Sequence, residues 1–157
     1  MTLSWIQQLI LVPVVLPLFT GALLIILSES RDRLKFAVNI GSLLLLLATA
    51  ITLLWYTDQE LWPASFGVYL AANWAAPFGI ALVLDRLAAL MLLLTAVLAG
   101  CSLFYSMKRW SRIGVHFHSL FQFLLMGLNG AFLTHDLFNL FVFFEVMLAA
   151  SYGLLLH

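Results

Sequence analysis

A chain of 157 residues that is 64% hydrophobic, 9% charged and has a mean hydropathy of +1.10 cannot be a water-soluble domain, because a domain this small leaves much of its area facing water. Seven basic residues balance seven acidic ones, which excludes the strongly basic footprint of a nucleic-acid binder. The composition is that of an all-α integral membrane protein, and its lone cysteine, Cys101, rules out an intramolecular disulfide and is read as packing.

Taken in order, the first transmembrane helix is expected at about residues 6–27. Residues 9–27 carry no charge, which is long enough for one crossing, and Trp5 is placed as an interfacial anchor. Without a basic n-region or an A-x-A-like site, the segment reads as a retained span rather than a signal peptide. Pro13 and Pro17, four residues apart on one face, are expected to kink it for packing. A polar turn at 28–35 carries Arg31, Arg33 and Lys35, and the second span is expected at 36–56, ending in the aromatic pair Trp55 and Tyr56.

Residues 57–85 are expected as an external loop. The uncharged stretch 61–84 would pass for a helix on hydropathy alone, but Pro63, Gly67, Pro77 and Gly79 interrupt it, and Asn73 and Trp74 sit at its centre. It reads as an extended or hairpin-like segment against the bundle. Asp85 is placed to cap a third span at 86–107, where Ala96, Ala99 and Gly100 form a small-residue patch. A second basic turn holds Lys108, Arg109 and Arg112. His116 and His118 follow; two residues apart, they would face different ways on a helix, so they are read as interfacial and as a poor metal signal.

The fourth and fifth spans are expected at 117–133 and 136–156. Their connection, Thr134, His135 and Asp136, is so short that the two helices must be antiparallel neighbours. Six of the seven Lys and Arg residues lie in the turns after the first and third spans. By the positive-inside rule those turns are cytoplasmic, the N-terminus is outside, and the fifth span ends at the cytoplasmic edge near His157.

The fifth span carries a single carboxylic acid, Glu145, near its middle. A carboxylate there costs about 2.5–3.5 kcal/mol even on lenient scales, so it marks a functional position. Its helix face is shared by Phe138, Phe141, Leu148, Ala149 and Tyr152, with no basic residue among them. All seven lysines and arginines are expected at loops or span ends, leaving Asn129, Asn139 and Tyr152 as the polar groups at depth. Glu145 therefore either keeps its proton or pairs with a cation from outside this chain, and in both cases it is poised to exchange a proton. A structural role in hydrogen-bonding helices together is the plainer alternative. His135 and Asp136 lie at the outer mouth of the span, as an N-terminal turn favoured by the helix dipole or, in the sharper reading, as a proton entry. There is no phosphate-binding loop, CxxC, nucleophile elbow or HExxH, so no cofactor, metal or enzymatic activity is expected.

The run FLTHDLFNLFVFFEVMLAASYGLLLH at 132–157 resembles the fifth-helix region of the proton-translocating antiporter-like membrane subunits. These are shared by respiratory complex I and the multisubunit Mrp-type (also Pha- or Mnh-type) cation/proton antiporters, and the wording is most similar to the D subunits of the latter. PFGIALVLDRLAALM at 77–91 resembles the same family's entry into its third helix. The resemblance implies exchange of Na+ or K+ against protons, other membrane subunits as partners and a bacterial plasma-membrane location. It implies that Glu145 is the family's coupling glutamate, working with a lysine on a later helix. The pump module of NADH:quinone oxidoreductase and a non-transporting fragment are the alternatives. Family members have many more helices than five, so the chain is expected to be an N-terminal portion that does not translocate ions alone.

Overall fold

The computed structural model describes residues 5–27, 31–59, 67–71, 79–106 and 116–156. Its elements are α1 (Trp5–Leu9), α2 (Val12–Ile26), α3 (Asp32–Asp58), β1 (Gly67–Leu70), β2 (Ala81–Leu84), α4 (Arg86–Ser106), α5 (Phe117–Leu133) and α6 (Leu137–Leu155). By length and apolarity α3, α4 and α6 can each cross a membrane, and α2 and α5 are shorter apolar helices. Pro63, Asn73, Trp74, Pro77, Lys108, Arg109, Arg112 and His157, and residues 28–30 of the first polar turn, lie outside the described residues.

The expected first helix is two helices, parted at Ile10 and Leu11. Proline lacks an N–H and its ring clashes with the carbonyl four residues earlier. Pro13 enforces this break, and α2 restarts with that proline in its first turn, where a missing donor costs nothing. Pro17 lies inside α2 and so deprives the Pro13 carbonyl of its helical donor. The side chain of Asn129 on α5 replaces that donor: its Nδ2 donates to the Pro13 carbonyl at 2.9 Å, fully buried.

The second helix starts earlier than expected, at Asp32, so Arg33 and Lys35 belong to its first turn rather than to a loop. Lys35 is buried, 4% exposed, on the face that packs inward. Cys101 also departs from expectation, being exposed on α4. The small-residue patch of α4 meets α3: Ala96 and Ala99 are buried, and Leu43 comes within 3.7 Å of where a Cβ on Gly100 would sit.

Asp85 caps α4, its Oδ1 accepting from the Ala88 N–H at 2.6 Å. The adjacent Arg86 reaches Asp58 at the end of α3 at 2.7 Å. Both side chains are largely solvent-exposed, so Asp58→Asn should change thermal stability in detergent by less than about 1 kcal/mol.

Between α3 and α4 the chain forms an antiparallel hairpin, with Gly67 opposite Leu84 and Leu70 opposite Ala81. Leu82 and Leu84 point inward and are buried beside Ile10, Ala88 and Leu133, as strand alternation dictates. The hairpin is tied to the α5–α6 connection by a bridge from Leu82 to Thr134 and by the His135 N–H, which donates to the Ala81 carbonyl at 3.1 Å.

α5 and α6 pack antiparallel at close range. A Cβ on Gly127 would lie 2.9 Å from the Met147 backbone nitrogen, one on Gly130 would strike the Phe143 ring, and one on Gly153 would touch Leu120 at 3.0 Å. Small residues at these positions let the two backbones approach, which is how helices associate where no hydrophobic force separates protein from lipid. Gly127→Ala should therefore push α6 outward and cost about 1 kcal/mol or more, read as a lowered melting temperature in detergent.

Candidate functional site

α6 buries little of itself in this chain. Its inner side, carrying Phe143 and Met147, lies on α5, and among its described residues Ala150 alone is fully buried. Phe138, Phe141, Glu145, Leu148, Ala149 and Tyr152 are all exposed. The face that periodicity assigns to Glu145 is thus left uncovered by the described residues, with the carboxylate on the ninth residue of a helix of nineteen. Glu145 makes no hydrogen bond or ion pair with any described residue.

The other residues singled out from the sequence take separate places. Tyr152 shares the exposed face of Glu145, two helical turns toward the C-terminal end. Asp136 is the N-cap of α6, its Oδ1 accepting from the Phe138 N–H at 3.2 Å. The His135 side chain is exposed at the connection, while its backbone holds the hairpin. Asn129 lies level with Glu145, since Gly127 pairs with Met147 and Gly130 with Phe143. It points the opposite way, into α2, so the α5–α6 pair separates the two polar groups. Among the described residues no cluster of three or more His, Cys, Asp or Glu side chains could hold a metal ion.

Sequence reasoning missed a second buried polar set. Thr20 on α2, Asn39 and Ser42 on α3, and His118, Ser119 and Gln122 on α5 are all buried. His118, expected at the interface, is 5% exposed, with its Nδ1 2.9 Å from Asn39 Nδ2 and the rings of Phe36 and Phe117 edge-on to it. The signal was available: Lys35, Asn39 and Ser42 recur at helical spacing, as do His118, Gln122 and Asn129. Each is a single polar residue in an apolar span and passes unnoticed unless the helices are read together.

No protein-family model matches the chain. It is 56% identical over 156 residues to the D subunit of a probable K(+)/H(+) antiporter of Rhizobium meliloti, covering 98% of this chain and 29% of that protein. It is 38% identical over 151 residues to the D subunit of the Na(+)/H(+) antiporter of Alkalihalophilus pseudofirmus, covering 95% and 30%. The fold matches a chain in the structure of the Mrp complex from Dietzia sp. with a TM-score of 0.79 and 34% identity, over 96% of this chain and 27% of that one. A chain of the membrane-bound sulfane sulfur reductase, an archaeal respiratory membrane complex, follows with a TM-score of 0.73 and 26% identity, over 94% and 29%.

The fold is mostly helical, with three helices long and apolar enough to cross a membrane, and its match is to a chain of an Mrp membrane complex. In sequence the chain is similar to the D subunits of K(+)/H(+) and Na(+)/H(+) antiporters, and it spans less than a third of the length of these relatives.

Proposed function

We propose that the chain supplies the Glu145-bearing helix of a monovalent cation/proton antiporter in a bacterial plasma membrane, with Glu145 as the coupling carboxylate. The observation that carries this reading is the outward face of α6, where an acid without a partner among the described residues sits mid-helix among exposed aromatic and aliphatic side chains. Left facing lipid, an ionised carboxylate costs at least about 2.5–3.5 kcal/mol, so the face calls for a protein neighbour with a cationic or hydrogen-bonding group. More than two thirds of each relative lies outside the matched stretch, which provides ample chain for such a neighbour.

The chemistry is competition for one site. A carboxylate that holds a proton is neutral, and one that has lost it can balance a nearby Na+, K+ or lysine ammonium. It cannot do both at once, which is the elementary condition for exchange. Tyr152 on the same face and the capped helix start at Asp136 are supporting parts of this surface, and His135 is the group nearest its outer mouth. The partners are other membrane subunits, protons and Na+ or K+.

The likeness to a respiratory membrane complex favours a second reading, a proton-pumping module in an oxidoreductase, where the same carboxylate chemistry applies. Inverted vesicles from an antiporter-deficient host separate the two. Cation-dependent collapse of a preformed pH gradient that requires the chain together with its partner subunits supports the antiporter. NADH oxidation that requires the chain, with no such collapse, supports the pump.

A further inference from the structure

The buried polar side chains between α2, α3 and α5 form one continuous hydrogen-bonded chain with a single direction. Gln122 Nε2 donates to Asn39 Oδ1 at 2.7 Å, and Asn39 Nδ2 faces His118 Nδ1 at 2.9 Å. Gln122 Oε1 can only accept, so the Ser42 hydroxyl, 3.4 Å away, donates to it. Having spent its one proton there, Ser42 must accept from Thr20, 3.1 Å distant. Every donor therefore aims toward His118 Nδ1, which acts as the terminal acceptor and carries no proton in this arrangement.

We propose that His118 is a proton-binding site whose occupancy reverses the polarity of this chain. A proton added at Nδ1 turns the terminal acceptor into a donor facing another donor, Asn39 Nδ2. Half-turns of the two amides and rotations of the two hydroxyls resolve the conflict while keeping the same partners. His118 then donates to Asn39 Oδ1, Asn39 Nδ2 to Gln122 Oε1, Gln122 Nε2 to Ser42, and Ser42 to Thr20. The reversed chain needs a last acceptor, and one is in place: the Leu16 carbonyl lies 2.8 Å from Thr20 Oγ1. From Nδ1 to the Leu16 carbonyl every donor thus has an acceptor in both polarities, and the buried His118 Nε2, which makes no hydrogen bond with a described residue, carries its proton in both, so the two states differ only along the chain itself. One proton is bound at His118, and none passes through the amides.

The far end of the chain falls one turn beyond Pro13, in the helix that two prolines have already loosened. Among the described residues the charged and titratable groups around the site are few. α3 contributes Lys35, buried one turn before Asn39, and α5 itself has His116, exposed at its start. α2 contains no titratable residue, α4 has Cys101 and Tyr105 exposed on its outer side, and Glu145 and Tyr152 of α6 point away from α5. The proposal stands apart from the role of Glu145.

The test is nitrogen NMR on the full chain in lipid nanodiscs, with histidine rings and side-chain amides labelled and His118 assigned by His118→Gln. The expected result at high pH is a neutral ring with Nδ1 unprotonated and the proton on Nε2. On acidification between roughly pH 8 and pH 5, the ring becomes imidazolium and the Asn39 and Gln122 amides shift with the same midpoint. Asn39→Leu should abolish the Gln122 response. Should that variant not fold, Ser42→Ala serves: it removes the acceptor that Gln122 Nε2 needs in the reversed chain, so the Gln122 amide should no longer shift with the ring. A neutral ring protonated at Nδ1, a ring that does not titrate in this range, or amides indifferent to its titration each overturn the proposal.

Discussion

Glu145→Gln should reduce cation/proton exchange to background in vesicles containing the chain and its partner subunits, while membrane insertion and complex assembly are unchanged. Glutamine keeps the size and the hydrogen-bonding geometry of the protonated acid, so it can occupy whatever neighbour covers the α6 face. It cannot release a proton, and it cannot carry the charge that balances a cation. The measurement is the decay of a pH gradient on addition of Na+ or K+, compared between wild type, the variant and vesicles lacking the chain. Wild-type exchange by an assembled Glu145→Gln complex would sink the assignment. Because Glu145 makes no bond with any described residue, the substitution should leave the melting temperature of the isolated chain in detergent unaltered, which distinguishes a transport role from a structural one.

Asn129→Leu should destabilise the bundle by about 2 kcal/mol, because it strands the buried carbonyl of Pro13 in an apolar interior. The cost has a specific origin, and that origin can be removed. Pro17→Ala restores an N–H at the position from which α2 would ordinarily donate to Pro13. In the Pro17→Ala background the same Asn129→Leu change should therefore cost much less, and thermal unfolding of the four proteins in detergent measures the coupling. Equal costs in both backgrounds would show that Asn129 does not act through the Pro13 carbonyl. The pair also explains why a polar residue survives beside α6 without turning toward Glu145: its donor is committed to α2.

Much of this architecture was legible in the residues. Apolar runs and their breaks at Asp85, Thr134 and Asp136 delimit the later helices, because each break is a capping or turn residue whose preference is local. The glycine- and proline-rich stretch before α4 declined to be a helix for equally local reasons, and its described part is a hairpin. The split of the first helix was less legible. A proline pair at this spacing is compatible with a kink or with a break: the helix runs on through Pro17, where Asn129 takes the orphaned Pro13 carbonyl, and it breaks just before Pro13.

Helical periodicity by itself determined which residues share a face with Glu145, since that depends only on 3.6 residues per turn. It did not determine which face of α6 is left open. That was decided by Gly127 and Gly130, whose missing side chains let α5 close against Met147 and Phe143 and so turned the acid outward. The buried polar chain is likewise a property of three helices and not of one. Thr20, Asn39, Ser42, Gln122 and His118 are scattered over about a hundred positions, and a hydrogen bond between distant residues has no signature along the chain until packing brings donor and acceptor within 3.5 Å.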